Sequence, residues 1–172
     1  MIAKQDVLDS MIRECKHCLY LFNKLPKTAY AYQPSATQRT TQELLRYLSV
    51  CGIATAESMA AGNWTPYETH VSRTKDMSPT EFPAAMLLQM KMLGGFFAEL
   101  TDGDLQNKKF TTPWGDQLSL GRALMEMPLK FLTAYRMQLF LYAKHFVPDL
   151  KTMDCWAGAE QLDGKTMPQR TA

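Results

Sequence analysis

Apolar positions recur with a helical period in four stretches of the chain, and polar, turn-rich segments divide them. From Lys4 to Lys24, residues Val7, Met11, Cys15, Cys18 and Phe22 follow at spacings of three and four, on one face of a predicted helix. Leu25-Pro26 ends it, because the residue before a proline is pushed out of the helical region. Tyr30 to Thr40 is a polar connection. The second helix covers residues 40–61. It opens on Thr40 with Glu43 three residues on, a capping box in which each side chain satisfies the other's free backbone N–H. Leu44, Leu45, Leu48, Cys51, Ile53 and Met59 carry its apolar stripe as far as Gly62. Residues 62–77, with Trp64, Pro66 and Tyr67, read as a long polar loop packed over one end of the molecule.

Ser78-Pro79-Thr80-Glu81 announces the third helix, residues 79–101, with an N-cap serine, a first-turn proline and a capping glutamate. Pro83 in its early turns predicts a bend or a later start. Met86, Leu87, Met90, Leu93, Phe96, Phe97 and Leu100 form its predicted buried face. Gly94 and Gly95 each lower helix propensity by about 1 kcal/mol relative to alanine, which predicts close approach of a neighbouring backbone. The fourth helix, residues 118–146, is the longest. Pro128 inside it predicts a kink through loss of the bond to the Leu124 carbonyl, and Pro148 stops it. The tail, residues 147–172 with Trp156, reads as a docked extension that frays toward its end. Four amphipathic helices without an alternating strand pattern predict an all-α four-helix bundle, one domain over residues 1–172, with connections long enough to cross over it.

Composition narrows the function classes. At 172 residues and 46% hydrophobic, the chain can bury one core. Nineteen basic against 17 acidic residues give a net charge of +2 with no block of like charge, so no nucleic-acid partner is expected. The longest uncharged apolar run, Ser49 to Ala56, is far short of the ~20 residues a bilayer requires, so no membrane partner is expected either. The acidic, periodic N-terminus does not read as a signal peptide, which leaves a cytoplasmic location by default. The four cysteines then read as reduced thiols, and the twelve methionines as gap-filling core residues.

Two stretches resemble a known family. Thr40-Thr41-Gln42-Glu43-Leu44-Leu45-Arg46-Tyr47-Leu48 looks like the start of the second helix of the DinB/YfiT-like superfamily, where a histidine normally follows the leucine pair. Trp114-Gly115, Ser119-Leu120-Gly121-Arg122 and Tyr135-Arg136-Met137-Gln138-Leu139 are similar to the approach to the fourth helix and its His-Arg-Gly-Gln signature. The resemblance implies a four-helix bundle in which one histidine on helix two and two on helix four hold zinc or nickel. Carried over, those three positions fall at Tyr47, Phe131 and Tyr135. Phenylalanine offers no ligand, and a tyrosine must first lose a proton whose pKa lies near ~10. The resemblance therefore implies the fold with a degenerate metal site, and no metal or other cofactor is expected.

Two readings of Tyr47, Phe131 and Tyr135 stay open. They plug the vacated site, ring against ring, or they line a small-molecule cleft with Glu43, Arg136, Gln138 and Trp114 nearby. Joint loss of all three ligands fits filling better than retuning. Arg136 and Gln138 are expected to bond neighbouring helices or loop carbonyls, and Trp114 to anchor the connection before the fourth helix. Cys15-Lys16-His17-Cys18 has no second ligand pair at compatible spacing, and both cysteines fall on the apolar stripe, so it reads as core. Glu126 and Lys130 read as a surface ion pair. The favoured function is a metal-free module that binds a small molecule or assembles as a homodimer. The alternative implied by the resemblance is a thiol-dependent S-transferase, which needs a metal to activate its thiol.

Overall fold

A computed structural model describes residues 3–162 and Gly164. Four long helical segments form the frame. The first is α1, Lys4–Lys24. The second is broken into α2, Thr41–Leu48, and α3, Cys51–Ala61. The third is α5, Phe82–Ala98, and the fourth runs from α7, Leu120–Leu124, into α8, Lys130–Phe146. Between them lie α4, Thr65–Thr74, and α6, Asp102–Asn107; α9, Thr152–Leu162, follows. Helix α1 packs against α5 and α8, and α2–α3 packs against the same two, so the first and second segments stand on opposite corners. The connection through residues 25–40 therefore crosses the bundle. A core of Met11, Leu21, Leu44, Leu48, Ile53, Leu93 and Leu132 fills the centre, each fully buried.

Both predicted capping boxes are present. The Thr40 N–H donates to Glu43 Oε2 at 2.7 Å while the Glu43 N–H donates to Thr40 Oγ1 at 3.2 Å. Ser78 and Glu81 make the matching pair, the Ser78 N–H donating at 2.9 Å. Pro83 delays the α-helix as expected, since residues Pro79–Glu81 form a 3-10 turn and α5 begins at Phe82.

Several expectations are corrected. The second segment is not one helix, because the chain leaves helical geometry at Val50, with φ −135° and ψ −20°. Ser49 Oγ donates back to the Leu45 carbonyl at 2.8 Å, and a buried side chain from α5 enters the gap. Gln89 Nε2 donates to the Leu48 carbonyl at 2.8 Å, and its Oε1 accepts from the N–H groups of Gly52 at 2.9 Å and Ile53 at 3.3 Å. A side chain inserted into the helical ladder is a common cause of a kink. One amide thus serves both sides of the break.

Residues 62–77 are not a loop. Gly62, at φ 68°, closes α3 in the left-handed region, and α4 starts almost at once. Asn63 Oδ1 accepts from the Thr65 N–H at 3.0 Å, and Pro66 sits in the first turn, where its missing N–H is harmless. Around Pro128 the helix widens into a π turn over Met125–Leu129. An added Cβ on Gly94 or Gly95 would meet no atom within 4 Å, so neither marks a close approach. Leu87 lies exposed instead of buried. The approach to the fourth segment forms a short antiparallel hairpin, β1 (Lys109–Thr111) and β2 (Gln117–Ser119), with Phe110 opposite Leu118. Glu126 and Lys130 form the expected exposed ion pair.

The tail docks as α9 against α1. Tyr20 Oη donates to Asp154 Oδ1 at 2.5 Å, and a Cβ on Gly158 would stand 2.2 Å from Tyr20 Cδ1, so only glycine lets the two helices meet here. The expected fraying falls on residues outside the described ones. No helix of the described residues is long and apolar enough to cross a membrane.

Candidate functional site

Tyr47 sits on the last turn of α2, directly before the break that Gln89 bridges, and Tyr135 projects from the facing α8. Their ring centroids are 4.5 Å apart with planes at 63°, an edge-to-face contact. Arg39, just ahead of the Thr40 cap, lies over both rings, its Cζ 4.5 Å from the Tyr47 centroid and 5.1 Å from that of Tyr135. Phe131, one turn before Tyr135, is half-buried against the core and shares no ring contact with the tyrosines among the described residues. Two of the three inferred ligand positions therefore meet, with a guanidinium on top.

Burial, reinforced by Cys51, Tyr67 and Tyr135, holds the Tyr47 phenol far above its ordinary range, against the pull of Arg39. A phenolate here would be desolvated, and these positions offer no imidazole or carboxylate, so the donor set does not fit zinc or nickel. Among the described residues no three His, Cys, Asp or Glu side chains lie where they could share a metal ion. Cys15, Cys18, Cys51 and Cys155 are all buried free thiols with pKa values raised, in each case chiefly by burial.

A cleft of about 280 Å³ opens beside Tyr47, between α2 and α4. Arg39, Arg46 and Lys75 bring positive charge to it; Val50, Val71 and Tyr67 give it apolar and aromatic walls. Glu43 stands at its edge. The hydrogen bonds from Thr40 hold its carboxyl below the ordinary carboxylate range, with Arg46 and Arg39 adding to the effect. Gln138 acts at one remove. Its Nε2 donates to Tyr142 Oη at 2.6 Å, and that hydroxyl donates to the Arg39 carbonyl at 2.9 Å, which ties the backbone of the arginine to α8.

Arg136 and Trp114 are not brought to the cleft. Arg136 is fully buried on the far side of α8, where its Nε donates to Glu14 Oε2 at 2.5 Å and its Nη1 to the Cys155 carbonyl. It joins α1, α8 and α9, a role of the structural kind its motif suggested. Trp114 is 63% exposed at the hairpin tip, and its indole N–H bonds Asp116 in its own turn, so it does not anchor the connection to the bundle. Sequence reasoning missed Arg39, Arg46, Tyr67, Val71 and Lys75. The spacing of Tyr67, Val71 and Lys75, four residues each, would have exposed the last helix face had Pro66 been read as a start rather than a breaker.

The chain is similar in fold to a DinB-like protein, YjoA from Bacillus subtilis, whose crystal structure superposes with a TM-score of 0.64 at 17% identity, covering 81% of this chain and 91% of that one. At that identity the likeness establishes the fold, a DinB-like helical bundle. No family model matches the sequence, and no curated protein matches it at a significant level.

Proposed function

We propose that this chain is a metal-independent binding module of the DinB-like fold, taking a small molecule in the cleft beside Tyr47. One observation carries the reading: tyrosine rings and a guanidinium fill the space that the resemblance assigns to a metal, while an adjoining cleft with convergent polar groups stays open. Such a donor set offers no ligands for the metal ion with which the S-transferase alternative would activate its thiol, which counts against that alternative.

Purified protein incubated with zinc or nickel and then dialysed is expected to retain far less than one ion per chain by mass spectrometry. A fragment library screened by NMR is expected to shift the Val50 and Val71 methyl signals. Stoichiometric metal that is lost on Tyr47→Phe or Tyr135→Phe would overturn the proposal.

A second reading, assembly as a homodimer, draws on α5, where Leu87 and Leu88 stand 55% and 42% exposed on one outer face. Light scattering on the native chain and on Leu88→Glu checks it: a dimer that the substitution converts to monomer supports the reading, and a native monomer at high concentration removes it.

A further inference from the structure

Charge in the cleft is unbalanced in a way the protein itself does not resolve. Arg39 and Arg46 face it against Glu43 alone, while Lys75 at its rim pairs with Asp76 at 3.9 Å. The Glu43 carboxylate is already engaged, accepting from the Thr40 N–H at 2.7 Å and Thr40 Oγ1 at 2.9 Å. That engagement also occupies the positive end of α2, so the helix terminus is not the anion-seeking group here. Among the described residues no carboxylate pairs with Arg39, whose guanidinium rests on the two phenol rings. A guanidinium lying on aromatic faces keeps its N–H groups directed outward in its own plane. Among the described residues Arg46 bonds through Nε alone, donating to the Met77 carbonyl at 2.9 Å, which fixes its head and leaves both terminal nitrogens.

A second cavity on the other side of α4, about 430 Å³, offers a contrast. Arg73 is matched there by Asp76 and Glu81, and no aromatic ring lines it. Of the two, only the cleft beside Tyr47 combines excess cation with apolar wall.

We propose that this cleft binds a small organic carboxylate, its anionic head held by Arg39 and Arg46 and its apolar or aromatic body laid against Tyr67, Val50 and Val71. The planar fork of a guanidinium matches a carboxylate with two parallel hydrogen bonds, which gives orientation as well as attraction. About 280 Å³ lies just below the ~300–1,000 Å³ typical of small-molecule sites, which fits a single-ring body. This inference rests on the binding-module reading and adds the ligand's charge and shape.

The test is a methyl-NMR titration of the full chain with benzoate and phenylacetate, with benzamide as the neutral counterpart and inorganic phosphate as the bare anion. Saturable shifts at Val50 and Val71 with both carboxylates are expected, and binding of benzamide and phosphate at least about tenfold weaker. Arg39→Gln and Arg46→Gln should each weaken benzoate about ten- to a hundredfold, the effect of removing a charged hydrogen-bond partner. Arg39→Lys, which keeps the charge but not the fork, should recover only part of that loss. Equal binding of benzamide, or phosphate binding as tightly as benzoate, overturns the carboxylate assignment while leaving a ligand cleft in place. Silence at Val50 and Val71 toward these probes and toward a neutral fragment library overturns both readings. If Arg39→Gln lowers the unfolding temperature, Arg46→Gln and the benzoate–benzamide comparison on the native chain still decide.

Discussion

Replacing Gln89 by leucine removes the amide that bridges the α2–α3 break while nearly preserving its volume. Gln89 is fully buried, so water cannot take its place. The Leu48 carbonyl loses its 2.8 Å donor, and the Gly52 and Ile53 N–H groups, which open α3 and have no partner in the preceding turn, lose their acceptor. An unsatisfied buried backbone group costs ~1–3 kcal/mol. The two short bonds therefore set a loss of about 2–6 kcal/mol, offset in part by the better fit of leucine among Leu132 and Met86. A net destabilisation of about 3 kcal/mol is expected. At ~2–4 °C per kcal/mol for a domain of this size, the unfolding midpoint should drop by about 6–12 °C. Urea unfolding monitored by circular dichroism is the assay, with the midpoint moving and the slope held, since the surface exposed on unfolding barely changes. Gln89→Glu separates satisfaction from volume. It keeps an acceptor for the two N–H groups but buries a charge at neutral pH, so its folded state should take up a proton and gain stability as pH falls. A Gln89→Leu protein within about 0.5 kcal/mol of the native one would refute the claim that the amide holds the break.

Acid should loosen the α1–α9 contact: His17 Nδ1 accepts from the Ala159 N–H at 3.2 Å and burial, with Arg136 and Arg13, lowers its pKa from 6.5 to about 4. The unfolded chain binds the extra proton between those values, so stability is full above pH 6.5 and falls toward pH 4, by at most about 3 kcal/mol; unfolding curves across this window check it, and a flat profile refutes it. Gly94→Ala and Gly95→Ala should each raise stability by up to about 1 kcal/mol, because the new Cβ meets nothing; a lowered thermal midpoint would contradict the open space there. Gly158→Ala should destabilise by ~1–3 kcal/mol as its Cβ drives into the Tyr20 ring, and a second change, Tyr20→Ala, should cancel part of that loss in a double-mutant cycle.

Local chemistry made the helix starts readable. Thr40 with Glu43 and Ser78 with Glu81 act within a single turn, so their meaning survives without knowledge of the fold. The break at Val50 was not readable, since its partner is Gln89 on another helix and nothing near residue 50 points to it. Helix α4 was hidden for the opposite reason: its polar surface is mostly solvated, and only His70 and Thr74 are buried. The docking of α9 depends on Tyr20 meeting Gly158 across the whole chain. At the cleft, the resemblance singled out Tyr47 and Tyr135, which do touch, whereas Arg39 and Tyr67 come into view only once α4 is a helix laid beside α2.

The seam between α1 and α9 has a kinetic meaning. The bond from Ala159 to His17 spans 142 residues, and the ion pair of Arg136 with Glu14 spans 122. Such closures gain nothing until most of the chain between them is ordered, so they belong late in folding and open early in unfolding. Until residues 152–162 have been synthesised, Tyr20 and His17 have no α9 to cover them.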